Sequence, residues 1–254
     1  MGLFVAGIAR SKQLLMIAAV ATAAAGCQPG GLFGVGPDTA DLRVPEGTLD
    51  PPGAVQTLPA LPVAVPANLA GYDRDCSPGH ACVFGQAWSD DVYVAGGHNG
   101  CDTRNDLLAR DLQAARPREP GGCVIVEGVL DDPYTGKSIP FAKENAGVVQ
   151  VDHVVALAAA WRVGAAGWDP QKRQNFANDP RNLLVVDASV NQSKSDSTAD
   201  EWMPPNASYH CEFARIVVTV KVAYGLAVTA GEQAALRSAL ERCTPPSTVA
   251  PSPG

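Results

Sequence analysis

Apolar residues recur in two rhythms along this chain, and each change of rhythm marks an element. VVQVDHVV (Val148 to Val155) is β-branched and reads as a strand. NLLVVD (Asn182 to Asp187) is a second short apolar run, and ASVNQSKSD follows it as a helix. In that helix Asn191 and Lys194 are three apart and share a face. Together the segments predict a ββα unit that brings Asp152, His153 and Asn191 to one point across about forty residues of sequence. Upstream, CVIVEGVLDDPYTGKSIPF predicts a hairpin, with Asp131 and Asp132 as turn residues rather than ligands. DTRNDLLARDLQAA predicts a helix capped by Asp102 or Thr103, with Leu107, Leu108 and Leu112 inward. Between the two strands of the ββα unit, two short helices are expected, the second starting at Pro170 behind Asp169. Trp161, Trp168 and Phe176 are placed in the core. CEFARIVVTVKVAYGL predicts a helix closed by Gly225, and EQAALRSALERC a final amphipathic one with Leu236 and Leu240 four apart.

Composition alters this picture at both ends. Residues 1–27 carry Arg10 and Lys12 ahead of an uncharged run too short to span a bilayer. The run ends in Ala24-Ala25-Gly26-Cys27, which resembles a bacterial lipobox. The expectation is a signal peptide, lipidation at Cys27 and anchoring at the bacterial cell surface, with plain secretion as the alternative. Residues 28–70 are rich in Pro, Ala and Gly without a sustained period, which predicts an extended, disordered tether. A disordered tail is expected at 244–254. Residues 71–243 remain as one domain.

Six further cysteines, Cys76, Cys82, Cys101, Cys123, Cys211 and Cys243, form an even set in an exported chain. That points to disulfides, although six allow fifteen pairings. The pairing expected is Cys76–Cys82, Cys101–Cys123 and Cys211–Cys243. No tight CxxC pair favours metal binding instead.

Net charge is −7 over the chain and becomes −9 once Arg10 and Lys12 are removed. Tight nonspecific nucleic-acid binders are usually basic, so charge weighs against that class. Residues 150–225 nevertheless hold seven Lys/Arg against eight Asp/Glu, so the acidity lies mostly elsewhere. In the ββα unit, Asp152 and Asn191 offer the hard oxygen donors that suit magnesium, with manganese or calcium as alternatives. His153 can take a proton near neutrality. A metal to neutralise phosphate charge and an imidazole to activate water suffice for phosphodiester hydrolysis. Arg104 is assigned to phosphate contact because a guanidinium grips two phosphate oxygens, and Lys194 to substrate binding beside it. Lys172, Arg173 and Arg181 form either a basic rim or a solvated face. His80, His98 and His210 lack partners at ligand spacing and are read as surface or structural groups.

The phrases DHVV, NLLVV and NQSKSD resemble the HNH (ββα-metal) nuclease motif. With NGCDTRNDLLARDL, DPYTG, DHVVALAAAW, FANDPRNLLVVDASVNQSKSD and EWMPP in order, residues from about Tyr72 to Cys243 resemble secreted HNH proteins related to the C-terminal domain of GmrSD-type restriction endonucleases. The resemblance implies His153 as general base and Asp152 and Asn191 as metal ligands. It implies Asn182 as the structural asparagine that holds the loop carrying His153. Ala156 stands where relatives often have proline. The expected fold is α+β: an HNH core with extra helices and a β-hairpin, stapled by disulfides. The expected activity is endonucleolytic cleavage, of DNA first and RNA as the alternative, outside the cytoplasm by a monomer. A cell-surface binding or assembly module on the same scaffold is the rival, and a cell-wall hydrolase using Asp152 and a second acid a third.

Overall fold

The computed structural model describes residues 44–243. The expected signal peptide with Cys27, residues 28–43 of the expected tether and the tail therefore lie outside the described residues. The architecture is α+β. Three antiparallel strands, β1 (Leu112–Pro117), β2 (Ile125–Asp131) and β3 (Ser138–Ala142), form one sheet, and β4 (Val149–His153) and β5 (Leu183–Asp187) form a separate ribbon.

β2 and β3 are the expected hairpin. Asp132 is 1% exposed at its turn, accepting from the backbone N–H groups of Tyr134, Thr135 and Asp187 and from the Thr135 hydroxyl. It is a turn residue with every lone pair in use, as its place before Pro133 implies. β1 corrects the sequence reading. The helix α2 spans only Thr103–Asp111, capped by Asp102, and Leu112 onward pairs with β2. Leu112 fits the apolar rhythm of a helix as well as of a strand, and the free edge of β2 decides between them.

The β4–β5 ribbon is apolar on both faces because it separates two cores. Val149, Val151, Leu183 and Val185 pack with Leu107 and Leu108 of α2 and with Ile125, Leu130 and Phe141 of the sheet. Leu184 and Val186 pack into a larger core of helices. This explains the unbroken LLVV run, which a strand with one wet face would not need. α5 (Ala188–Lys194), with Asp187 as its N-cap, packs on β4 and β5 and completes the ββα unit.

The large core is built by α3 (Leu157–Arg162), α4 (Pro170–Asn178), α6 (His210–Tyr224) and α7 (Ala230–Leu240). Asp169 caps α4 through Lys172 N–H, and Gly225 closes α6 at φ 67°, a left-handed value that glycine adopts at low cost. Trp161 and Phe176 are buried, with Trp168 packed against them. Lys221 and Glu232 form a buried pair at 2.8 Å that ties α6 to α7. Lys172 lies over the Trp168 ring, Arg173 donates to the Val83 carbonyl and Arg181 pairs with Asp179, so the possible basic rim is largely committed to structure.

The tether expectation needs correction for residues 51–61. α1 (Pro51–Thr57), capped by Asp50, and a following 3-10 turn bury Ala54, Leu58 and Leu61 against α6 and α7. Leu49 N–H donates to Thr219 Oγ1, and Arg215 donates to the Leu49 carbonyl. Pro51 and Pro52 sit in the first turn, where a missing N–H costs nothing, so a proline-rich segment here starts a helix rather than preventing one.

Three disulfides, Cys76–Cys82, Cys101–Cys123 and Cys211–Cys243, join the expected pairs at Cα separations of 4.4, 5.3 and 5.2 Å.

Candidate active site

Side chains alternate along a strand, and β4 presents its two reactive residues to different neighbours. Asp152 stands opposite Leu184 and His153 opposite Leu183. Leu184 belongs to the helical core and Leu183 to the core of the sheet. The carboxylate and the imidazole therefore take opposite faces of the ribbon.

On the α5 face, Asp152 is 4% exposed and both its oxygens are engaged. Oδ1 accepts from the Lys194 ammonium at 2.8 Å and Oδ2 from the Tyr134 hydroxyl at 2.5 Å. Burial and the adjacent carboxylate raise the Tyr134 pKa, so the hydroxyl stays protonated as donor. Lys194 is fully buried and donates a second bond, 2.8 Å, to the backbone carbonyl of His153. Asn191, one turn earlier on α5, donates to Gln150 Oε1 at 2.9 Å. Trp202, on the EWMPP loop, packs against Tyr134 and donates to Ser193.

On the other face His153 is partly buried, its Nε2 2.8 Å from the Ala177 carbonyl. A carbonyl only accepts, so Nε2 carries the proton and Nδ1 keeps a free lone pair. Burial lowers the pKa to about 4, against a smaller upward pull from the Ala177 carbonyl, so the ring is neutral near pH 7. Trp88 lies parallel to it, 12° between planes and 5.9 Å between centres. Trp88 has φ 59°, a costly value for a bulky residue, and is held there by Thr103 N–H on its carbonyl.

The backbone after His153 is fixed by Asn182, fully buried. Its Oδ1 accepts from Val155 N–H at 2.8 Å, its Nδ2 donates to the Val155 carbonyl at 3.1 Å and its own carbonyl accepts from Val154 N–H. Lys194 and Asn182 thus grip the chain on either side of the imidazole.

Next to Trp88 opens a cavity of about 330 Å³ between the start of α2, the sheet and the segment after β3. Arg104, half-buried, and Lys143 supply its positive charge, Asp102 its negative charge, and Leu108, Ile125 and Phe141 its apolar wall. The Arg104 guanidinium makes no hydrogen bond among the described residues. Burial lowers its pKa and Asp102 raises it, and a guanidinium stays charged regardless. Sequence reasoning placed Arg104 here but missed Trp88, Tyr134 and Gln150. Only the tertiary fold brings these three to the site.

The structure brings together Asp152 with Lys194, and Asn182 with the loop of His153. It does not gather Asp152, His153 and Asn191 at one point. Lys194 has no surface for substrate, because its ammonium neutralises Asp152 in the interior. No group of three or more His, Cys, Asp or Glu side chains fit to hold a metal occurs among the described residues. The oxygens of Asp152 and Asn191 suit a hard ion in kind, but the carboxylate is already bonded to an ammonium and a hydroxyl. As arranged, these residues do not fit a metal site shared with His153. The remaining histidines play local parts: His80 bridges Asp73 and Asp75, His98 lies near Asp91, and His210 lies 2.8 Å from the Pro204 carbonyl.

Fold and site thus define an α+β protein with a neutral, rigidly held imidazole beside a cation-lined cleft. The chain belongs to the family described as GmrSD restriction endonucleases, C-terminal domain, which matches residues 102–239. It is 35% identical over 192 residues to an uncharacterized secreted protein of Arthroderma benhamiae (strain ATCC MYA-4681 / CBS 112371), covering 75% of this chain and 84% of that protein. No solved structure matches it. No helix among the described residues is long and apolar enough to cross a membrane.

Proposed function

We propose that the protein is an HNH-type endonuclease that hydrolyses phosphodiester bonds with His153 as general base, acting outside the cytoplasm. The observation that carries this reading is the contact of His153 Nε2 with a carbonyl oxygen, from which the tautomer of the ring follows. Its Nε2–H is committed to the Ala177 carbonyl, which leaves Nδ1 able to take a proton from water. The water attacks phosphorus, the P–O bond to the leaving strand breaks, and the departing oxygen takes up a proton from solvent. A pKa held down by burial keeps the base unprotonated, and an approaching phosphodiester anion raises its proton affinity. Arg104 is the cation proposed to hold phosphate oxygens. DNA is the first substrate to test and RNA the second. Export is supported by the three disulfides and by the secreted relative; lipidation at Cys27 belongs to the same proposal.

A divalent ion, magnesium first, is what the family resemblance implies. The engaged oxygens of Asp152 give it no place, so no step is routed through it. Digestion of plasmid DNA by the whole mature chain, with added magnesium or with chelator, tests both points. Nicking in either condition supports the nuclease reading, and chelator sensitivity decides for the ion. No cleavage of DNA or RNA in any divalent ion favours the second reading, a surface binding module on the same scaffold. The neutralised Asp152 is the observation on that side.

A further inference from the structure

We propose that the cavity beside Trp88 is a subsite for one unpaired nucleotide, so that the substrate is single-stranded or locally unpaired nucleic acid. The proposal rests on the nuclease reading and specifies its substrate.

Three features converge there. The cavity holds about 330 Å³, at the small end of the range for small-ligand sites and far too narrow for a duplex. Trp88 and Phe141 give it aromatic surface, and Leu108 and Ile125 an apolar floor, which suits the flat face of a base. A base inside a duplex shows proteins only its edges, so its face reaches an indole only after leaving the stack. Arg104 and Lys143 offer positive charge to the attached phosphate, and among the described residues the Arg104 guanidinium has no hydrogen bond that a phosphate would have to displace, only the nearby charge of Asp102. Asp102 opposes an anion, but its oxygens are engaged with the backbone N–H and side-chain amide of Asn105.

Trp88 also faces the imidazole of His153. A nucleotide stacked in the cavity is therefore one indole away from the general base. Trp88 packs on the core of the sheet at a strained φ of 59°, which holds the indole in place at the edge of the cavity.

The test measures binding of a fluorescein-labelled oligothymidylate, alone and hybridised to oligodeoxyadenylate, by anisotropy. It uses the mature chain carrying His153→Ala to prevent cleavage, with Trp88→Leu, Trp88→Phe and Arg104→Gln added singly. The single strand should bind more tightly than the duplex. Trp88→Leu should weaken single-strand binding about 5- to 150-fold, the range for losing one base–aromatic stack, and Trp88→Phe should recover most of it. Arg104→Gln should weaken it too and reduce the slope of log affinity against log salt by about 0.7. Duplex bound as tightly as single strand, or Trp88→Leu binding like its parent, overturns the proposal. If Trp88→Leu fails to fold, the Phe and Gln variants carry the test: a Phe variant bound no better than background, or an unchanged salt slope in Arg104→Gln, overturns it. Failure of the nuclease reading shows separately, as absence of cleavage by wild type.

Discussion

Asp152 and His153 are adjacent in the chain and stand on opposite faces of the β4–β5 ribbon, the carboxylate 2.8 Å from the Lys194 ammonium and the imidazole parallel to Trp88. The two residues therefore do different work. Asp152 anchors the strand from within, through Lys194 and Tyr134. His153 stacks on Trp88, which lines the cleft.

Lys194→Met should destabilise the protein by about 3–5 kcal/mol in chemical denaturation, because it leaves a buried carboxylate without its countercharge. Adding Asp152→Asn should recover most of that loss. An unchanged midpoint for the single variant would mean that the pair contributes nothing to the fold.

Asn182→Ala removes both side-chain bonds to Val155 in a fully buried place. About 1–3 kcal/mol for each backbone group left unpaired is expected. Because the same bonds fix the chain after His153, kcat should fall more than KM rises. Loss of stability with kinetics intact would show that the loop does not need this clamp.

Leu58→Ala should cost about 2–5 kcal/mol, as a buried leucine does. A chain cut to begin at residue 71 should be less stable than the mature chain, since it loses all of α1. Equal melting temperatures would restore residues 51–61 to the tether.

These three expectations mark where the sequence was and was not readable. The ribbon, α5, the hairpin β2–β3 and the later helices were legible because their apolar rhythm and caps act locally. β1 was not, because Leu112 fits both rhythms and only the edge of β2 selects a strand. α1 was hidden by composition, since prolines that suggest a tether also suit a helix start. At the site, Asn182 was placed beside the loop of His153 by motif. The partner of Asp152 was not, because strand alternation turns neighbouring residues apart and a buried ammonium cannot be told from an exposed one in sequence.

The pH dependence follows from His153. Its folded pKa, about 4, lies below the unfolded value of about 6.5. Between those values the unfolded chain binds a proton that the folded chain does not. Stability from this group is therefore full above pH 6.5 and falls as pH drops toward 4, by up to about 1.4 kcal/mol per pH unit. His153→Phe should flatten that part of the stability curve. The kcat/KM profile of the wild type should hold down to about pH 4 rather than break near 6.5. A break near 6.5 would place the imidazole in a more solvated setting.

The most direct measurement is the rate of plasmid or oligonucleotide cleavage by His153→Ala beside wild type, with near-ultraviolet circular dichroism to show that both are folded. The account predicts a folded variant whose kcat/KM is lower by about 10²–10⁴, the usual worth of a general base. A folded variant that cuts as fast as wild type would contradict it.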